Sequence, residues 1–386
     1  MSPIYLDHNA TTPIDPGVLD AMLPFLREQF GNPSSGYALG RTAKDAVANA
    51  RAEVAALIGA DADEIVFTSG GTEANNIAIR GTADAGGGRR RIVTSTVEHP
   101  ATDEPCELLA RQGWAIDRIA VGGDGRVDVA IAQRAIRDGA DLVTLIYAQN
   151  ETGVVQPVAE IAATARAHGA LMHVDAAQAI GKIAVDVKTL GVDLLSIAGH
   201  KLYAPKGVGA LYVRRGVRAD SVLRGAGQES GRRPGTENVA CIVGLGRACR
   251  LAASRLRNGD AARLGTLARD LFARLRRDIP DIELTGHPDA RLPNTLNVLF
   301  PGVSGRALLD ACPQVMASTG SACHADREDA SAILRAMGIA EHKALGAVRL
   351  SLGFTTTPAD VAEAAAALAG AWRRLCHAPS SSARAH

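Results

Sequence analysis

The sequence predicts an α/β fold: a mostly parallel sheet with helices on both faces. Two observations predict it. Between about residues 61 and 213, short apolar runs bounded by Gly and Pro alternate with segments of helical period. Several of these runs also end in polar or charged groups that an apolar strand does not ordinarily choose. The exit ends of strands in an open α/β sheet are where such folds place their ligands. At 386 residues the chain is long enough for two or three domains and a large core.

In order, residues 1–15 are polar, with a turn at Asn9-Ala10-Thr11-Thr12-Pro13. Residues 16–30 read as a helix ending near Gly31-Asn32-Pro33. In 41–58, Ala43, Val47, Ala50, Val54 and Leu57 recur at helical spacing and Gly59 stops the pattern. Residues 64–68 are a strand, Ser69-Gly70-Gly71-Thr72 a turn, and 73–80 a helix. The strand 91–96 ends near Glu98-His99-Pro100, and the strand 142–148 delivers Asn150 to the same edge. Residues 157–168 form a helix with Pro in its first turn. The run 171–174 ends at Asp175, and 193–198 ends at Gly199-His200-Lys201. The run 208–213 follows without a helix between, so it is expected as an antiparallel neighbour. Residues 214–240, rich in Gly and Arg, form a long irregular stretch of the kind that is functional or disordered. Helices at 239–257 and 260–277, strands within 281–300, a strand at 348–352 carrying Arg349 and a helix from 358 to about 375 complete the chain; the tail 378–386 reads as disordered.

A lysine at a strand exit can form a Schiff base with a carbonyl compound, and an aspartate at a neighbouring exit can pair with a pyridinium nitrogen. Lys201 with Asp175 is therefore the signature of a pyridoxal phosphate (PLP) site. Each residue alone also has a plainer reading, a solvated charge and a helix N-cap. The Gly70-Gly71-Thr72 turn offers backbone N–H groups and a hydroxyl to a phosphate; it also serves as an ordinary strand-to-helix turn. His99 can stack on a planar ring or be structural. The run 316–326, small residues with Cys323 among them, reads as a loop carrying a nucleophile, whereas the other five cysteines lie in or beside helical patterns and read as buried thiols. With 42 basic and 41 acidic residues there is no electrostatic footprint for nucleic acid or an anionic membrane. No apolar stretch approaches the roughly 20 residues of a membrane span. The first residues lack the n- and h-regions of a signal peptide. Six cysteines without a C-x-x-C pair argue against a zinc site and for reduced thiols in a cytoplasm.

The stretches YLDHNATTP, GNPSSGYALGR, FTSGGTEANN, TSTVEHP, QNETG, HVDAAQ, GHKLYAPKGVGALYVRRG, RRPGTEN, LPNT, STGSACHAD and VRLSLG resemble, in order and nearly end to end, the PLP-dependent cysteine desulfurases of the NifS/IscS type, with selenocysteine lyase as close kin. The resemblance implies PLP fold type I: a large domain (15–257) with a mostly parallel seven-stranded sheet, and a smaller α+β domain (1–14 and 258–386) carrying the catalytic Cys loop. It implies a homodimer acting on L-cysteine or L-selenocysteine, with a persulfide acceptor such as an iron–sulfur scaffold or tRNA-thiolation enzyme. It assigns Lys201 to the Schiff base and proton shuttle, Asp175 to the pyridinium nitrogen, His99 to ring stacking, and Asn150 and Gln178 to the phenolate oxygen or ring edge. Gly71, Thr72 and His200 match phosphate ligands, and Thr236 one donated by the other subunit. Arg349 matches the substrate-carboxylate clamp and Cys323 the persulfide-forming nucleophile. No metal is implied. A PLP transaminase or a non-catalytic sulfur-relay scaffold are the weaker alternatives. Three positions depart from the desulfurase pattern: Ala198 where serine is usual, Tyr37 for histidine, and Phe354 for arginine. Ala198 and Tyr37 resemble selenocysteine lyases.

Overall fold

The structure, a computed structural model, describes residues 3–85, 88–320 and 330–377; Cys323 and the tail 378–386 lie outside them. Its strands are β1 (Ile4–Tyr5), β2 (Ile65–Thr68), β3 (Arg91–Ser95), β4 (Ala115–Ile119), β5 (Leu142–Ile146), β6 (Leu171–Asp175), β7 (Leu194–Ala198), β8 (Gly209–Val213), β9 (Glu283–Leu284), β10 (Thr295–Leu299), β11 (Val315–Met316) and β12 (Ala347–Ser351). Seven of them form one sheet in the order β2-β8-β7-β6-β5-β3-β4. The strands β7, β6, β5, β3 and β4 are parallel neighbours, and β8 runs antiparallel to both β7 and β2.

Strands β5, β7 and β8, and the edge strand β2, are buried along their whole length. Layers cover both faces, so these strands read as continuous apolar runs rather than alternating ones. Edge strand β4, AIDRI, is mostly exposed or half-buried and lacks that pattern. Helix Ala38–Ile58 lays Val47, Val54 and Ile58 on the core beside Phe67, Val143, Val174 and Ile197 of the sheet and Leu245 of helix Val239–Arg257. Truncating Ile58 to Ala would cost about 2–5 kcal/mol. Gly59 ends the helix at φ 70, where a Cβ would stand 2.2 Å from an Asp186 carboxylate oxygen, so only glycine fits.

A second apolar cluster gathers Leu6, Leu271, Leu275, Val298, Leu350 and Leu368. It surrounds the antiparallel sheet β12-β10-β9. The N-terminus joins this part: β1 pairs in parallel with β11, and Asp7 bridges to Ser351. Leu292, although late in the chain, packs into the main core. The helix expected at 73–80 begins earlier, at Gly71, and passes through a wider π-helical turn at Ile77–Gly81 before ending at Ala85. Among the described residues no helix is long and apolar enough to cross a membrane.

Candidate active site

The C-terminal ends of β2, β7, β6, β5 and β3 share one edge of the sheet, because β2 is brought parallel to β7 through two antiparallel pairings. These ends deliver Gly70–Thr72, Gly199–Lys201, Asp175, Asn150 and His99 to the place where open α/β sheets bind ligands.

At the β2 exit, Gly70 adopts φ 152 and ψ −175, a region essentially reserved for glycine. A Cβ on Gly209 would stand 2.7 Å from Gly70 Cα, so the two backbones must meet without side chains. The turn opens on a cavity of about 420 Å³ lined by Thr11, Ser69, Thr72, Glu73, His200 and Lys206. His200 Nδ1 lies 3.2 Å from Thr11 Oγ1. Burial first, then Lys201 and other lysines, push its pKa down to about 4, so the ring is neutral at pH 7.

Asp175 is buried at the β6 exit. Its Oδ2 accepts from Asn75 Nδ2 at 2.7 Å and its Oδ1 from Ala177 N at 3.0 Å. Neither donor is charged. Glu98 accepts from Ser95 Oγ at 2.5 Å, and burial above all, with Asp175 nearby, pushes its pKa up to about 8. Glu98 is therefore protonated at neutral pH. His99 Nδ1 accepts from Ala101 N at 3.0 Å, which leaves the ring proton on Nε2. Desolvation by the surrounding protein lowers its pKa; Asp175 opposes that and Lys201 adds to it.

Lys201 Nζ donates to Asn9 O at 2.5 Å and Ala10 O at 2.7 Å. Burial, reinforced by Arg349, brings its pKa from 10.5 to about 8. Gln178 Nε2 donates to the same Asn9 carbonyl at 2.9 Å, and Lys182 Nζ donates to Asn9 Oδ1 at 2.8 Å. Asn9 Nδ2 in turn donates to Asn150 O at 3.2 Å and Thr295 Oγ1 at 2.9 Å, so the N-terminal turn ties the sheet edge to β10.

Arg349 is buried on β12. Its Nη2 is 2.7 Å from Asp7 Oδ1 and its Nη1 donates to Asn150 O at 3.1 Å. Its Nε is buried without a partner among the described residues. The chain approaching the Cys323 segment is bonded to this arginine's own backbone: Arg349 N donates to Ser318 O at 2.6 Å. On the far side, Ser331 Oγ donates to Glu151 Oε2 at 2.6 Å. Gly320, at φ 115, lies so close to Glu151 that a Cβ there would stand 2.6 Å from the carboxylate. Both flanks of the segment thus rest against the residue next to Asn150.

The fold brings together Gly71, Thr72, His99, Asn150, Asp175, Gln178, His200, Lys201 and Arg349 at this edge. It does not bring Thr236, which is exposed on its loop. That loop is held by Glu229, which accepts from Arg51 at 2.6 Å and from Phe67 N at 2.8 Å. Cys106, Cys249 and Cys312 are buried as expected, but Cys376 is exposed and Cys241 half-buried. Cys241 packs at the margin of the main core and Cys376 lies in the last turn of the C-terminal helix, a distinction that helical context alone does not make. Sequence reasoning missed Asn9, Asn75, Lys182 and Lys206. Lys182 stands as a lone polar group within an apolar stretch, the one available signal; Asn75, beside Asn76 and near Glu73, carries none. Among the departures, Ala198 faces the cradle: a Cβ on Gly71 would lie 3.2 Å from Ala198 Cβ. Phe354 packs edge-on against Tyr203 at 4.2 Å, with the Arg255 guanidinium 3.5 Å over its ring.

These residues fit pyridoxal phosphate. A side-chain-free cradle opens on a polar cavity, a buried carboxylate has neutral partners only, a lysine holds a lowered pKa, and a buried guanidinium N–H lacks an acceptor.

Over residues 4–363 the chain matches the aminotransferase class-V family. It is 46% identical over 364 residues to the cysteine desulfurase of Trichormus azollae, covering 94% of this chain and 90% of that relative. It superposes on the solved structure of a NifS-like protein with TM-score 0.89 and 33% identity, covering 97% and 99% of the two chains. The structure of SspA in complex with cysteine gives TM-score 0.79 at 33% identity, covering 90% of this chain and 98% of that one.

Proposed function

The chain belongs to the aminotransferase class-V family, and from that premise we propose that this edge of the sheet is the site of a PLP-dependent cysteine desulfurase. L-cysteine is converted to L-alanine, and its sulfur passes to Cys323 as a persulfide for delivery to an acceptor. When bound, pyridoxal phosphate supplies an electron-withdrawing ring that stabilises negative charge at the substrate Cα.

The residues divide the work. Gly71, Thr72 and neutral His200 hold the phosphate, and Thr236 of a second copy completes that set. Asp175, whose carboxylate has only uncharged hydrogen-bond donors, holds the ring nitrogen. His99 covers the ring face, and Gln178 and Asn150 meet its edge. Lys201 holds the cofactor covalently. Once released, it carries a proton at the substrate Cα; an amine with a pKa of about 8 gives and takes a proton near neutrality more readily than an ordinary lysine. Arg349 binds the substrate carboxylate with its fork.

One observation carries the choice of sulfur chemistry over transamination. The segment bearing Cys323 is pinned at both flanks against Arg349 and Glu151, beside the proposed carboxylate clamp. The described residues on either side of Cys323 thus lie beside the proposed clamp, which supports its thiol as the acceptor of the substrate sulfur. In the assay, purified holoenzyme given L-cysteine and an excess of a dithiol, which reduces the persulfide and is oxidised to its disulfide, yields alanine and sulfide in equal amounts, and Lys201→Ala yields neither. Keto-acid formation with no need for Cys323 is the transaminase outcome and would overturn the reading. Selenocysteine as preferred substrate is a second reading, supported by Ala198 and Tyr37; the ratio of L-selenocysteine to L-cysteine turnover decides it.

We read residues 15–257 as the large domain and 1–14 with 258–386 as the small one, a division supported by the two apolar clusters. A homodimer is supported by the exposed Leu19, Leu26, Phe30 and Tyr37 and by Thr236, which is exposed and does not line the cavity at the Gly70–Thr72 turn. The persulfide acceptor is an iron–sulfur scaffold or a tRNA-thiolation enzyme, and the compartment is the cytoplasm, where free thiols persist.

A further inference from the structure

We propose that Lys182 is a positioning residue that fixes which end of the Gln178 amide faces the cofactor. This rests on the reading of Gln178 as the group that meets the ring oxygen.

The argument starts from donors and acceptors. Gln178 Oε1 accepts from Lys182 Nζ at 2.5 Å, and Gln178 Nε2 donates to Asn9 O at 2.9 Å. An amine facing one end of the amide and a carbonyl facing the other permit a single orientation: oxygen to Lys182, nitrogen to Asn9. The second N–H of Nε2 then points away from both partners and is offered to a ligand. Lys182 is itself held by Asn9 Oδ1 at 2.8 Å, so its head cannot swing aside without losing both bonds. Lys182 lies four residues after Gln178 across a turn that Gly181 closes at φ 76, which brings the two side chains together. A flipped amide would present its carbonyl to the negatively charged ring oxygen, an acceptor facing an acceptor. The charged and titratable groups facing Lys182 are Lys201, Arg349, His8 and His200. Tyr203, Arg255 and Asp260 line the cavity on its other side. Burial, then Lys201 and Arg349, hold the Lys182 amine well below the usual lysine range. A neutral amine still has the two N–H groups these two bonds use, so the role lies in direction rather than charge.

A donor on the ring oxygen weakens the pull of that oxygen on a proton at the adjacent Lys201 nitrogen. Losing the donor raises the pH at which that proton leaves. The experiment is a pH titration of the visible absorption of holoenzyme in four proteins: wild type, Lys182→Met, Gln178→Ala and the double variant. Lys182→Met is expected to raise the midpoint by about one pH unit. In the Gln178→Ala background the same change is expected to move it by less than about a third of that, since Lys182 acts through Gln178. An unmoved midpoint in Lys182→Met, or an equal rise in both backgrounds, overturns the proposal. If Lys182→Met does not fold, Lys182→Gln, whose head falls one atom short, reads the same shift with the same sign. Failure of the underlying reading looks different: wild type shows no visible band, or Gln178→Ala titrates as wild type.

Discussion

Replacing Lys201 by Met tests whether the site holds its amine at a cost to the fold. Burial and Arg349 bring the lysine from 10.5 to about 8. Because the folded pKa lies below the unfolded one, the unfolded chain binds more protons between those values, so this contribution to stability rises with pH. The penalty is fully present below the folded value and gone above the unfolded one; the fall corresponds to about 3 kcal/mol at its limit. Lys201→Met removes it and also leaves the Ala10 carbonyl without its donor, at about 1–3 kcal/mol, while the Asn9 carbonyl keeps Gln178 Nε2. The net change at one pH is therefore small, but the carbonyl loss does not vary with pH and the lysine penalty does. Denaturant unfolding of both proteins, freed of cofactor, at about pH 7 and about pH 9.5 separates the two. Wild type should gain about 2 kcal/mol on Lys201→Met between those conditions. Parallel behaviour of the two proteins would refute the claim that Lys201 is held at a depressed pKa.

Two further outcomes follow from the geometry. Ala198→Ser places a hydroxyl beside Gly71 in the cradle, and one charge-assisted hydrogen bond of about 1–2 kcal/mol should tighten pyridoxal phosphate roughly 5- to 30-fold by equilibrium dialysis; unchanged affinity removes Ala198 from the phosphate wall. Arg349→Gln should keep the visible cofactor band but lower kcat/KM for L-cysteine roughly 10²- to 10³-fold, and should destabilise the fold by about 3–5 kcal/mol because Asp7 loses its buried partner; a wild-type kcat/KM would remove the clamp.

The parts of the site that lie at strand exits were legible because a polar residue ending an apolar run is a local signal: Asp175 after LMHV and Lys201 after DLLSIAG each carry it. The β8 reversal was legible too, since no helix separates it from β7. The stretch 101–141 was not. Helix Pro100–Arg111 carries an internal Pro105, and β4 lies at the sheet edge with only one buried position, so neither shows a clean period. Asn9 was read only as part of a turn. Its role as the hub joining Gln178, Lys182, Lys201, Asn150 and Thr295 depends on partners more than a hundred residues away, and such bonds leave no mark on local pattern. Lys182 was passed over for the same reason, although its charge within AIGKIAV was visible.

The most direct test of sulfur transfer at this site is a single turnover of holoenzyme with L-cysteine, followed by mass spectrometry of thiol-blocked peptides. One extra sulfur atom on the peptide containing Cys323, in proportion to the alanine formed and absent from Lys201→Ala, is the predicted result. Alanine formed with the extra sulfur on exposed Cys376, or on no cysteine of the chain, would contradict it.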